Sequence, residues 1–101
     1  MILYNVTVKI AKPLEANWLQ WMKAVHIPDV MNTGLFIEYK ICKILHDDDD
    51  GGVSYAIQYF CKDMATFQTY QSKHAQALQA EHSERYKNQY VAFRTLMEVI
   101  N

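Results

Sequence analysis

Only two cysteines occur in the 101 residues, Cys42 and Cys61. Two thiols are too few for a disulfide framework and they form no C-x-x-C pair, so buried, reduced thiols on neighbouring strands are expected. Charge of one sign is equally short: ten Lys and Arg meet eleven Asp and Glu. No segment gathers the basic footprint that a nucleic acid requires, so that partner is not expected. No run approaches the roughly 20 apolar residues of a bilayer span, and Met1 leads straight into Ile2-Leu3-Tyr4 without a basic leader and cleavage site. The expectation is a soluble, cytoplasmic protein with no membrane partner.

Catalytic signatures are missing as well. There is no G-x-S-x-G, no Walker loop, no G-x-G-x-x-G and no H-E-x-x-H. No metal or cofactor is assigned. The four aspartates Asp47 to Asp50 invite a calcium reading, but an EF-type loop opening at Asp47 would place Gly51 at its fifth position and Gln58 at its twelfth. A solvated hairpin tip, completed by Gly51-Gly52, accounts for them better.

What is present is apolar and aromatic. At this length a chain buries roughly two-thirds of its unfolded surface, which suits one domain over residues 1–101 and leaves no material for a second core. Seven Tyr, four Phe and two Trp are many large side chains for one small core, so a monomer is expected to leave some uncovered and to form a homodimer.

Residues 2–10 alternate with period two, Ile2, Tyr4, Val6, Val8 and Ile10 against polar neighbours, and predict a first strand. Pro13 suits a first helical turn, and Leu14, Trp18, Met22 and Val25 recur at helical spacing, which predicts a helix over 13–25 that ends before Pro28. Residues 35–45 and 53–61 read as a strand hairpin, the second with Val53, Tyr55, Ile57, Tyr59 and Cys61 on one face. The register between the two depends on the turn and stays open. Asp63 is a candidate N-cap for a second helix to about residue 86, with Phe67, Tyr70, His74, Ala77 and Leu78 on its stripe. A last strand covers 91–100.

The order β-α-β-β-α-β with right-handed crossovers implies an α+β, ferredoxin-like fold with a four-stranded antiparallel sheet and both helices on one face. The faces bearing Asn5, Thr7, Gln58 and Arg94 are mixed in polarity, which suits cover by a second subunit or a wet cavity.

Candidate functional residues follow from chemistry and placement. His26, near a helix C-terminus and Asp29, either caps the carbonyl end or serves as a general base at a pocket mouth. His74 is either a buried neutral imidazole or a catalytic group, while His46 and His82 read as surface residues. Trp18 and Trp21 diverge by about 60° around the helix, so one packs centrally and the other lies at the border, where it could line a cleft. Arg94, in mid-strand, needs either an ion pair, with Glu38 or Glu98 as the nearest choices, or an anion.

The runs Tyr4-Asn5-Val6-Thr7-Val8, Trp18-Leu19-Gln20-Trp21-Met22 with His26-Ile27-Pro28, Thr33-Gly34-Leu35-Phe36, Gln58-Tyr59-Phe60 and Val91 to Glu98 resemble a bacterial family carried as a domain of unknown function, within the dimeric α/β-barrel superfamily. That superfamily includes antibiotic-biosynthesis-type monooxygenases, ligand-binding stress-response barrels and haem-degrading monooxygenases. The resemblance implies a dimeric α/β barrel in a bacterial cytoplasm, and the leading expectation is a homodimer with a small-molecule pocket between helices and sheet, bounded by His26, Trp21, Tyr59 and His74. An enzyme of this kind would be a cofactor-independent monooxygenase or isomerase acting on an aromatic or carbonyl compound. His26 or His74 would move a proton, and Arg94 or Asn5 would steady the oxyanion. The alternatives are a non-catalytic dimeric interaction or regulatory module and a haem-binding or haem-degrading protein. For haem, Asn5 matches the superfamily's first-strand asparagine, the helix tryptophan is replaced by Phe67 or Tyr70, and His74 falls too early for the ligand.

Overall fold

The computed structural model describes residues 1–46 and 50–101; Asp47, Asp48 and Asp49 of the expected hairpin tip lie outside the described residues. Strands β1 (Ile2–Ala11), β2 (Glu38–Lys43), β3 (Gly52–Cys61) and β4 (Tyr90–Glu98) form one antiparallel sheet in the order β2-β3-β1-β4. Helix α1 (residues 12–31) connects β1 to β2 and helix α2 (residues 64–85) connects β3 to β4. This is the expected ferredoxin-like arrangement.

The register settles which side chains meet the helices. Tyr4 pairs with Tyr59, Val6 with Ile57 and Val8 with Tyr55, so even positions of β1 and odd positions of β3 share the helix-covered face. Odd positions of β2 pair with odd positions of β3, as in Ile41 with Ile57. Burial is densest beneath the helices, where Ile10, Trp18, Ile27, Val30 and Ile57 are sealed. The opposite face carries Asn5, Thr7 and Gln58 together with exposed Val91, Phe93 and Met97.

Two expected placements change. Arg94 sits opposite Val6, so it lies on the helix side of the sheet and not beside Asn5. Cys42 pairs with Ala56 and is exposed on the open face, while Cys61 is buried on the other; both thiols are free.

Each helix contains one widened π turn, Met22–His26 in α1 and Gln71–Ala75 in α2. This irregularity explains why α1 does not stop before Pro28. In a regular α-helix that proline would lack the N–H for the carbonyl of Ala24 and press its ring against it; widening the turn immediately before it removes the conflict. The helix continues to Met31 and closes with Asn32 N–H on the Pro28 carbonyl at 2.8 Å and Gly34, at φ +78°, on Met31 at 3.1 Å.

The strand expected over 35–45 is shorter because Phe36 turns inward instead of entering the sheet. Its ring packs 4.7 Å from Tyr70 and 5.2 Å from Tyr59, which closes one end of the aromatic core. At the start of α2 the side chain of Asp63 accepts from the Thr66 N–H at 2.8 Å and from the Thr66 hydroxyl at 2.7 Å, as its sequence position implied. Asp63→Ala is expected to lower stability by about 1 kcal/mol and Asp63→Asn to restore most of it, read from urea midpoints.

Candidate functional site

A cleft lies between the two helices and strands β1, β3 and β4 of the sheet. Its floor is Tyr4, Val6, Ile57 and Tyr59; α1 contributes Met22, His26 and Val30, α2 contributes Tyr70, Leu78, Gln79 and His82, and β4 supplies Tyr90, Ala92 and Arg94. The space is about 30 Å³, room for about two waters. A second space of about 220 Å³ shares Tyr4, Tyr70, Gln79 and Arg94 with it and extends past Phe67 and Leu96.

The π turns decide which residues reach this cleft. Each inserts one extra residue, so the inward stripe slips by one position beyond it. In α1 the stripe expected to pass through Val25 moves to His26 and Ile27, leaving Val25 39% exposed and Ile27 1%. In α2 it moves from His74 to Ala75, and Leu78, His82 and Tyr86 follow at steps of three and four. His74 is left half-buried outside the cleft, its ring stacked on Tyr70 at 6.3 Å.

His82 is therefore buried, 6% exposed, and not a surface residue as its sequence context suggested. The Trp18 indole N–H donates to its Nε2 at 2.9 Å, which assigns the ring proton to Nδ1 in the neutral tautomer. Burial, reinforced by His26 and Arg94, lowers its pKa to about 4.

His26 ends the first π turn with its ring stacked on Trp21, 5.3 Å between centroids. Its Nδ1 is buried without a hydrogen bond, and the nearest carboxylate oxygen, Oε1 of Glu81, stands 3.8 Å away. Burial lowers its pKa to about 4; Asp29 opposes that shift and Arg94 adds to it. Glu81 is itself raised by burial and by the charge of, and hydrogen bond with, Asp29.

Arg94 is the cation of the cleft and, among the described residues, makes no ion pair. Neither Glu38 nor Glu98 neutralises it. It lies against the Tyr4 hydroxyl: burial raises the Tyr4 pKa, while the Arg94 charge and hydrogen bonding with Arg94 and Gln79 pull it partly back. Burial also raises Tyr59 and Tyr70. At neutral pH the site combines two uncharged imidazoles, four phenol hydroxyls, one amide and one guanidinium.

Of the residues singled out in the sequence, His26, Tyr59 and Arg94 meet at the cleft. Trp21 lies behind His26, beneath the Arg85 guanidinium at 5.2 Å, and supports the ring without lining the space. Asn5 lies on the other face of the sheet and donates to the Thr7 hydroxyl at 2.9 Å. That placement bears on haem. The asparagine and the α2 histidine that a haem group would need, Asn5 and His74, are on opposite sides of the sheet and outside the cleft, and neither space has the size of a macrocycle. The residues present do not fit haem.

Solved structures share this fold at low identity. A dimeric ferredoxin-like protein from an uncultured marine organism is 12% identical with a TM-score of 0.72, covering 100% of this chain and 96% of that one. HapK from Hahella chejuensis is 8% identical with a TM-score of 0.71, over 100% and 94%. A variant of MhuD with two manganese protoporphyrin IX molecules bound per active site is 14% identical with a TM-score of 0.65, over 100% and 96%. No curated protein matches the sequence. A family model does, over residues 1–100, and the chain belongs to the family described as Domain of unknown function (DUF4286).

Proposed function

We propose that the chain forms a homodimer whose cleft, together with the larger space that adjoins it at Tyr4, Tyr70, Gln79 and Arg94, binds a small aromatic or carbonyl compound and moves a proton on it without a cofactor, as an isomerase or cofactor-independent monooxygenase would. The carrying observation is the His26 imidazole, neutral and stacked in place, with a buried Nδ1 that no group among the described residues satisfies. An orphaned buried nitrogen costs free energy, and such a cost in a cleft is often part of a working site.

For an enolisable ketone the step balances within the cleft. His26 takes the proton from the carbon next to the carbonyl, the electron pair moves onto oxygen, and the imidazolium delivers that proton to the enolate oxygen to give the enol. Arg94, which lies against the Tyr4 hydroxyl, would hydrogen-bond the enolate oxygen together with that hydroxyl. A base with a pKa of about 4 is weak at neutral pH, and approach of Glu81 to Nδ1 would strengthen it by stabilising the imidazolium.

The dimer rests on the open sheet face, where Val91 and Phe93 are 65% and 62% exposed, and on kinship of fold with proteins described as dimeric. Phe93→Lys is expected to halve the mass measured by light scattering.

The test of catalysis is keto–enol tautomerisation of phenylpyruvate followed by ultraviolet absorbance. His26→Ala should lower the catalysed rate by about 10²- to 10⁴-fold with the dimer intact. Equal rates for His26→Ala and the parent would sink the assignment. The small inner space of about 30 Å³ favours a second reading, a non-catalytic dimeric module, and that reading gains if the parent protein produces no rate above buffer.

A further inference from the structure

The larger of the two spaces narrows the class of ligand. Its wall is aromatic: Tyr4 and Phe67 stand 5.0 Å apart at 55°, and Tyr70 lies 6.0 Å from Tyr4. Its polar corner is formed by Arg94, Gln79 and Gln71, and among the described residues no carboxylate lines either space. We infer that this space selects a one-ring aromatic anion, an arylcarboxylate or phenolate, with its ring among Tyr4, Phe67 and Tyr70 and its charge on Arg94. The inference rests on the reading above that the cleft is a small-molecule site.

Size and charge carry it separately. An apolar cavity of about 150 Å³ accommodates benzene, so about 220 Å³ suits one ring with a small substituent, whereas larger ligands occupy roughly 300–1,000 Å³. The guanidinium has no carboxylate partner among the described residues, and its neighbours in the corner are a neutral phenol and two neutral amides, which can donate but cannot neutralise it. A planar anion can take two parallel N–H bonds from such a fork. Arg94 stands at the exposed rim, so an incoming anion reaches the charge before its ring is enclosed.

The experiment is calorimetric titration of the full chain with benzoate, benzamide and 9-anthracenecarboxylate, in the parent, Arg94→Met and Arg94→Lys proteins. Because Arg94 is exposed, its replacement should leave the fold intact, checked by circular dichroism. Benzoate is expected to bind at least about tenfold tighter than benzamide in the parent, Arg94→Met to erase that difference, and Arg94→Lys to retain part of it. Benzamide binding as well as benzoate, the three-ring acid binding best, benzoate affinity indifferent to Arg94→Met, or no benzoate heat at millimolar concentration would each overturn the ligand class. The phenylpyruvate assay separates the two claims. If His26→Ala abolishes tautomerisation while benzoate ignores Arg94, the ligand class fails and proton transfer stands; the reverse pattern leaves an anion-binding protein without catalysis.

Discussion

Trp18→Ala is expected to cost about 3–5 kcal/mol of folding stability, a large part of the 5–15 kcal/mol typical of a whole domain. The residue is fully enclosed, packs its ring 5.1 Å from Tyr55, and donates its indole N–H to His82 at 2.9 Å. Truncation would open a cavity that the rigid sheet on one side and α2 on the other cannot collapse. It would also strip His82 Nε2 of its donor. Trp18→Phe separates the two contributions, because it keeps most of the volume and loses only the donor; about 1–3 kcal/mol is expected for that loss alone. Urea midpoints of the three proteins decide it, and a Trp18→Phe protein as stable as the parent would show that the indole–imidazole bond contributes nothing.

Alternation and capping made most of the fold legible. Four strands, two helices and their order follow from period-two runs around Tyr4, Tyr59 and Phe93, from Pro13 at a helix start, and from Asp63 at another. The π turns escaped because they leave no mark in composition. A period of 3.6 carried through residues 22–26 points Val25 inward, and one extra residue is enough to point His26 inward instead. Pro28 was the available clue: a proline followed by the apolar Val30 and Met31 is compatible with a helix that widens before it.

The site was half legible for the same reason. His26, Tyr59 and Arg94 were recognisable by residue type, but the face on which Arg94 projects depends on pairing with β1, and periodicity within β4 alone is symmetric between its two faces. His74 and His82 exchange their expected roles because the slip in α2 acts on everything beyond residue 75. A step of four from Leu78 reaches His82 and another reaches Tyr86, so the stripe could have been followed backward from the helix end, where it is regular.

The second large effect is on pH. In the unfolded chain both imidazoles take a proton near pH 6.5, whereas in the fold burial holds each to about 4. Between those values the unfolded state binds more protons than the native state, so stability rises with pH across the window and is lost as pH falls from about 6.5 toward 4. A drop from 6.5 to about 4 corresponds to about 3 kcal/mol for one imidazole. The two rings lie 5.7 Å apart and each protonation opposes the other, so a single replacement also relieves the partner. The charged surroundings are Asp29 and Glu81, which favour an imidazolium at His26, and Arg94, which disfavours one at both rings. Lowered carboxyls at Glu15, Asp50 and Asp63 act in a separate window, since their contribution is present above the ordinary carboxylate range and disappears below it. The parent protein should therefore lose several kcal/mol between pH 7 and pH 4.5, before those carboxylates protonate. His82→Gln, which retains an acceptor for Trp18, should flatten the slope by about half, and a His26→Gln, His82→Gln double variant should remove most of it. Urea midpoints at pH 7.0, 5.5 and 4.5 measure this directly; a double variant with the parent's slope would mean that the imidazoles are not held neutral by the fold. An anion seated on Arg94 would remove one of the charges that keep His26 unprotonated, so benzoate should shift the parent's acid transition to lower pH, coupling the stability of the fold to occupancy of the cleft.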